Sequence, residues 1–131
     1  MGAELLIINL PFPAPELMPN RKNGKHWTST IGVKNAQKTE AAVRTKEALR
    51  VAGPTDYGTA NIPISLLFCC PDKRKRDIDN LLAASKTMLD AVAQELGVCD
   101  SRFKPILLDS VLGPKEGGLV VTVGANIKST V

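Results

Sequence analysis

IPISLLFCC-PDKRKRDIDN-LLAASKTMLDAVAQELG, residues 62–97, passes from an apolar run through a charged connection into a helical pattern. Residues 62–70 form an apolar run with Pro63 near its start, where a missing N–H is tolerated, and Pro71-Asp72 ends it. That predicts a buried strand. From Asn80 to about Leu96 the apolar spacing turns helical, Asp79 stands where an N-cap belongs, and Gly97 is placed as the C-cap. Strand, charged connection and helix therefore follow one another. The connection carries four consecutive cations, Lys73, Arg74, Lys75 and Arg76, then Asp77 and Asp79 spaced i, i+2, then Asn80. Acids that merely neutralised the basic block would alternate with it. Here a separate acidic pair follows, so phosphate attraction and divalent-metal ligands stand side by side.

Working outward, residues 4–10 are rich in Ile and Leu and are stopped by Pro11 and Pro13, which predicts a first strand. From Phe12 to about Gly32 no period is visible, and a loop this long in a compact domain is usually functional or disordered. Residues 33–52 read as a helix with Ala36, Ala41, Val43 and Leu49 on or near one stripe, closed by Gly53-Pro54. After 71–97 the chain offers strands at about 106–112 and 119–123. The turn-rich residues 113–118 between them predict a β-hairpin. The expected architecture is a single domain over 1–131 of the α/β (α+β) class: a small mixed sheet of about four strands with two helices, in the order β-α-β-α-β-β.

With 131 residues and 44% hydrophobic content, the chain is long enough for one core. Its formal charge of +4 favours a polyanionic partner, and the few aromatics make a non-specific stacking platform an unsuitable main activity. The first residues lack a basic region ahead of an apolar run, and no run approaches a membrane span, so a soluble cytoplasmic protein is expected. Cys69, Cys70 and Cys99 match neither a disulfide framework nor a zinc pattern with the lone His26. Buried thiols at a strand end are the expectation.

In an extended segment Asp77 and Asp79 point to the same side, so two carboxylates converge on one hard cation such as Mg²⁺. An EF-hand is excluded because the twelfth position from Asp77 is Met88. The structural alternative is that Asp77 ends a charge run and Asp79 only caps a helix. Asp100 reaches the same end of the sheet if the chain reverses after the helix, which Gly97 permits. Lys86, seven residues past Asp79, falls on the same helical face and four residues before Asp90. It reads equally as a salt-bridge partner or as a cation for a bound phosphate. Arg21, Lys22, Lys25 and His26, beside Trp27, suit phosphate contact at distorted nucleic acid; the structural alternative is that Trp27 is a packing anchor and His26 neither base nor ligand.

Taken together, the early Pro-rich loop with Asn20, the basic run into Asp77-Ile78-Asp79-Asn80-Leu81, Lys86 ahead of Leu89-Asp90-Ala91, and Gly97 with Asp100 resemble the RusA family of Holliday junction resolvases. The resemblance spans most of the chain. It implies a RusA-like fold in a small homodimeric endonuclease that binds four-way DNA junctions and uses Mg²⁺, or Mn²⁺, to nick two symmetry-related strands. By the same resemblance Asp77, Asp79 and Asp100 would be the metal-binding catalytic acids and Lys86 the catalytic lysine. Lys73 to Arg76 and the early loop would contact DNA. Competing readings are a catalytically silent nucleic-acid-binding module and a nuclease for other branched DNA.

Overall fold

The computed structural model describes residues 5–18, 30–53 and 55–124. Among these, the order is β1 (Leu6–Leu10), α1 (Ile31–Ala52), β2 (Ile62–Cys70), α2 (Ile78–Ala84), α3 (Lys86–Leu96), β3 (Phe103–Leu112) and β4 (Gly118–Val123), with 3₁₀ turns at Pro15–Leu17 and Asp100–Arg102. The result is a mixed α/β fold around a four-stranded sheet in the order β1-β4-β2-β3. β4 runs antiparallel to both β1 and β2, while β3 is parallel to β2.

Period-two alternation builds the core. Leu6, Ile8 and Leu10 of β1, Ile62, Ile64, Leu66 and Phe68 of β2, and Leu119, Val121 and Val123 of β4 are buried on one face. They share one cluster with Ala41 of α1, Leu81 of α2, and Met88, Leu89 and Val92 of α3. Each large side chain so buried contributes about 1.5–3 kcal/mol of transfer free energy. The opposite face of the sheet is more open, with Ile7 and Leu107 more than half or about half exposed.

Three expectations are corrected. The final two strands do not form a hairpin, because β2 lies between them. The 113–117 loop steps over the end of β2: the Gly113 N–H donates to the Cys70 carbonyl at 2.7 Å, and a Cβ at Gly113 would stand 2.7 Å from Cys69 Cβ. A glycine makes that close crossing possible. The helix after the charged connection is two helices, broken at buried Ser85, whose hydroxyl donates to the Leu82 carbonyl at 2.9 Å. Such back-bonding competes with the helical ladder. In α1, which begins at Ile31, Ala36 and Val43 face solvent, and the buried positions are Ala41 and Thr45. The Thr45 hydroxyl is satisfied by the Ala41 carbonyl at 2.7 Å.

Candidate active site

The basic block lies in the connection from β2 to α2 and divides into two kinds of cation. Asp72 accepts from the Arg74 backbone N–H at 2.9 Å and pairs with the Arg74 and Arg76 guanidinium groups at 3.1 and 3.0 Å. Arg76 also donates to the carbonyls of Asp72 and Arg74, and its guanidinium lies 5.4 Å from the centre of the Phe12 ring. Its side chain is only 16% exposed, so this cation is largely committed to holding the connection in shape. Lys73 and Lys75 are exposed and have no ion-pair partner among the described residues. The sequence signal for this cluster is Asp72 two residues ahead of Arg74, the spacing at which an aspartate accepts from the backbone N–H of an Asx turn.

The Arg74 backbone N–H and guanidinium hold the Asp72 carboxyl at about 2, below its ordinary 3.8. A carboxyl depressed on folding stabilises the fold above its ordinary value, and the stabilisation is lost as pH falls toward about 2. Asp72→Asn is therefore expected to melt below wild type at neutral pH, with the gap closing between about pH 4 and pH 2. Because the group is exposed, the gap should also shrink in high salt. Thermal melts of both proteins across that range check this, and a gap that widens in acid would contradict it.

Asp77, and not Asp79, occupies the N-cap position of α2. Its backbone is extended (φ −79°, ψ 135°) and its side chain makes no capping hydrogen bond. Asp79 lies inside the first turn, where its carboxylate accepts from the adjacent Asn80 N–H at 3.0 Å. The N-cap assignment of Asp79 is thus corrected. Both carboxylates are exposed, Ile78 between them is half-buried, and neither acid enters an ion pair among the described residues.

Lys86 opens α3, and the break at Ser85 removes the continuous helical face that would have linked it to Asp79. Gly97 takes the left-handed conformation (φ 73°, ψ 29°) and turns the chain back as expected. Lys86 Nζ consequently stands 3.1 Å from Asp100 Oδ2 and 3.9 Å from Asp90 Oδ1. The Asp100 hydrogen bond raises the Lys86 pKa, and Lys86 lowers that of Asp100 in return. Desolvation raises that of Asp90. Cys99, expected to be buried, is exposed, and its Sγ lies 3.1 Å from the Ser101 hydroxyl. Cys69 and Cys70 at the end of β2 are half-buried.

The described residues thus place the predicted groups in two sets, the Asp77–Asp79 pair and the Lys86–Asp90–Asp100 cluster. No three acidic, histidine or cysteine side chains among them stand together to hold one ion. The expectation that Asp77 and Asp79 share one side of an extended segment is corrected: Asp77 alone is extended, and Asp79 is the second residue of α2, where i, i+2 spacing no longer aligns side chains. An exposed carboxylate still suits Mg²⁺, which takes one or two carboxylates and leaves its other positions to water and substrate phosphate. Arg21, Lys22, Lys25, His26 and Trp27 lie outside the described residues.

A groove of about 560 Å³ runs beside Asp77 and Asn80. Its walls are the turn carrying Pro13, Pro15 and Met18, the 71–77 connection, and Lys115 and Glu116 of the β3–β4 loop. Sequence reasoning missed the contribution of Phe12 and Lys115, which only the sheet order brings to the end of β2.

No protein-family model matches the chain. It is 31% identical over 124 residues to an uncharacterized protein of Xylella fastidiosa (strain Temecula1 / ATCC 700964), covering 88% of this chain and 74% of that protein. No helix among the described residues is long and apolar enough to cross a membrane.

Proposed function

We propose that this chain, which belongs to one family with the uncharacterized Xylella protein, is a magnesium-dependent, structure-specific endodeoxyribonuclease of the RusA type. As a cytoplasmic homodimer it would resolve four-way junctions by paired nicks in DNA recombination and repair. The observation that carries the reading is two exposed carboxylates without ion-pair partners among the described residues, Asp77 and Asp79, the first of which lines a groove rimmed by Lys75 and Lys115. Carboxylates left free beside cations that attract phosphate suit metal-assisted phosphodiester hydrolysis.

In this reading Asp77 and Asp79 hold Mg²⁺ or Mn²⁺, which when bound supplies Lewis acidity and an activated water. Lys73, Lys75 and Lys115 bind backbone phosphates, so affinity should fall steeply with salt. Lys86 remains protonated and donates to phosphate oxygens where charge develops. Asp100, the third acid that the resemblance names, orients Lys86 through their 3.1 Å contact. Asp72 and Arg76 position Asp77 by fixing the connection from which it projects.

The dimer draws support from β3. This outermost strand leaves Ile106, Leu107, Val111 and Leu112 between 41% and 58% exposed, on both of its faces. Long apolar edge strands pair with other chains unless they are covered. Leu107→Asp is expected to convert a dimer to a folded monomer in light scattering at micromolar concentration. A variant that remains dimeric would remove β3 from the interface.

A silent binding module is the second reading, favoured by the absence of a gathered three-acid group among the described residues. A labelled four-way junction, incubated with Mg²⁺ or with chelator, separates the two. Flap and linear duplex competitors then distinguish a junction enzyme from a nuclease for other branched DNA.

A further inference from the structure

The groove beside Asp77 is rimmed by charge but floored by apolar side chains, and a surface that only tracked phosphates would not need such a floor. Phe12, Pro13, Pro15, Met18 and Pro71 line it, and Asn80 stands at its side next to Asp77. We propose that this groove receives one unpaired DNA nucleotide, its base on the floor made by Pro15, Met18 and Pro71, its edge at Asn80 and its phosphates at Lys75 and Lys115. The choice of DNA as the ligand rests on the nuclease reading.

Three observations converge on that occupant. The volume of about 560 Å³ falls within the range of about 300–1,000 Å³ typical of small-molecule sites. The walls are set before binding: the Ala14 N–H donates to Gln37 Oε1 at 3.1 Å, Gln37 Nε2 donates to the Phe12 carbonyl at 3.4 Å, and Arg76 covers the Phe12 ring while Asp72 holds it. That side of the groove needs no further ordering on binding. Charge also complements a nucleotide: Asp72 is neutralised by two arginines, and Lys75 and Lys115 remain for phosphate beside Asp77 and Glu116, so the groove lining keeps a net charge of +1. A base stacked within a duplex shows only its edge, so an apolar floor is reached only by a base outside the stack. The Asn80 amide has both donors and an acceptor for such an edge.

The test compares a labelled single-stranded oligothymidylate with an abasic sugar-phosphate strand of equal length and charge, by fluorescence anisotropy in chelator. Wild type should bind the base-bearing strand about tenfold more tightly, the scale of a single base stacked on a protein surface. Met18→Glu should abolish that preference, whereas Lys115→Ala should weaken both strands alike. Equal binding of the two strands by wild type, or binding of neither, overturns the inference without relying on any variant. A preference that survives in Met18→Glu moves the base elsewhere and overturns it too. The nuclease reading is scored separately: junction cutting without a base preference removes the groove assignment alone, and a base preference without Mg²⁺-dependent cutting removes the nuclease alone.

Discussion

Asp79→Asn should abolish junction cutting while leaving junction binding intact. The substitution keeps size and hydrogen-bonding capacity, and the amide oxygen is still able to accept from the Asn80 N–H. Since Asp77 and not Asp79 is the N-cap residue, the first turn of α2 should survive the change. In the proposed reaction the substitution would remove one of two negative ligands for a divalent cation, and with it several kcal/mol of charge stabilisation at the scissile phosphate, a fall of about 10³-fold or more in rate. Asp77→Asn should behave alike. A readout independent of catalysis is Mn²⁺ binding followed by electron paramagnetic resonance, which wild type should show and the double variant should lose. If Asp79→Asn loses junction affinity and melts early, the residue is structural and the carboxylate pair is not the metal site.

The second large effect belongs to Lys86. Its Nζ donates to Asp100 at 3.1 Å, and that contact raises its pKa, so the ammonium keeps its proton throughout the neutral range. In the proposed reaction it would act as a fixed cation and hydrogen-bond donor, not as a base. Lys86→Ala should lower the cleavage rate by about 10²–10³-fold, the usual cost of removing one donor to a transition-state oxyanion. Asp100→Asn should cost less, because the ammonium survives and only its orientation is relaxed. The pH–rate profiles give the sharper check. Between about pH 6 and pH 9 wild type and Lys86→Ala should run parallel, offset but equal in shape. An alkaline limb in wild type that vanishes in Lys86→Ala would show that Lys86 titrates during catalysis and would contradict the assignment.

Much of this architecture was legible in the residues. The limits of β2 at Ile62 and Cys70 are set by apolar run and proline, and the return of the chain to Lys86 is set by Gly97, whose left-handed backbone brings Asp100 back. Strand adjacency was less accessible. The length of the 113–117 loop suits a hairpin equally well, and only packing decides that β2 enters between β3 and β4. The break at Ser85 was hidden for a different reason. Serine is tolerated in helices, and its back-bond to Leu82 becomes decisive only when the side chain is buried. The site was read as one constellation, whereas the structure divides it into a carboxylate pair and a lysine cluster on separate helices. Asp72 follows the proline that ends β2, so in sequence it reads as a strand terminator until the bend folds Arg74 and Arg76 onto it.

The proposed reaction is the cutting of branched DNA with a metal held by Asp77 and Asp79. The most direct measurement is denaturing-gel mapping of cuts in a four-way junction labelled on each strand in turn, with Mg²⁺ and with chelator. Nicks at symmetry-related positions on two opposing strands, present with Mg²⁺, absent with chelator and absent in Asp79→Asn, are predicted. A folded protein that binds the junction and leaves all four strands intact in Mg²⁺ and in Mn²⁺ would contradict the account.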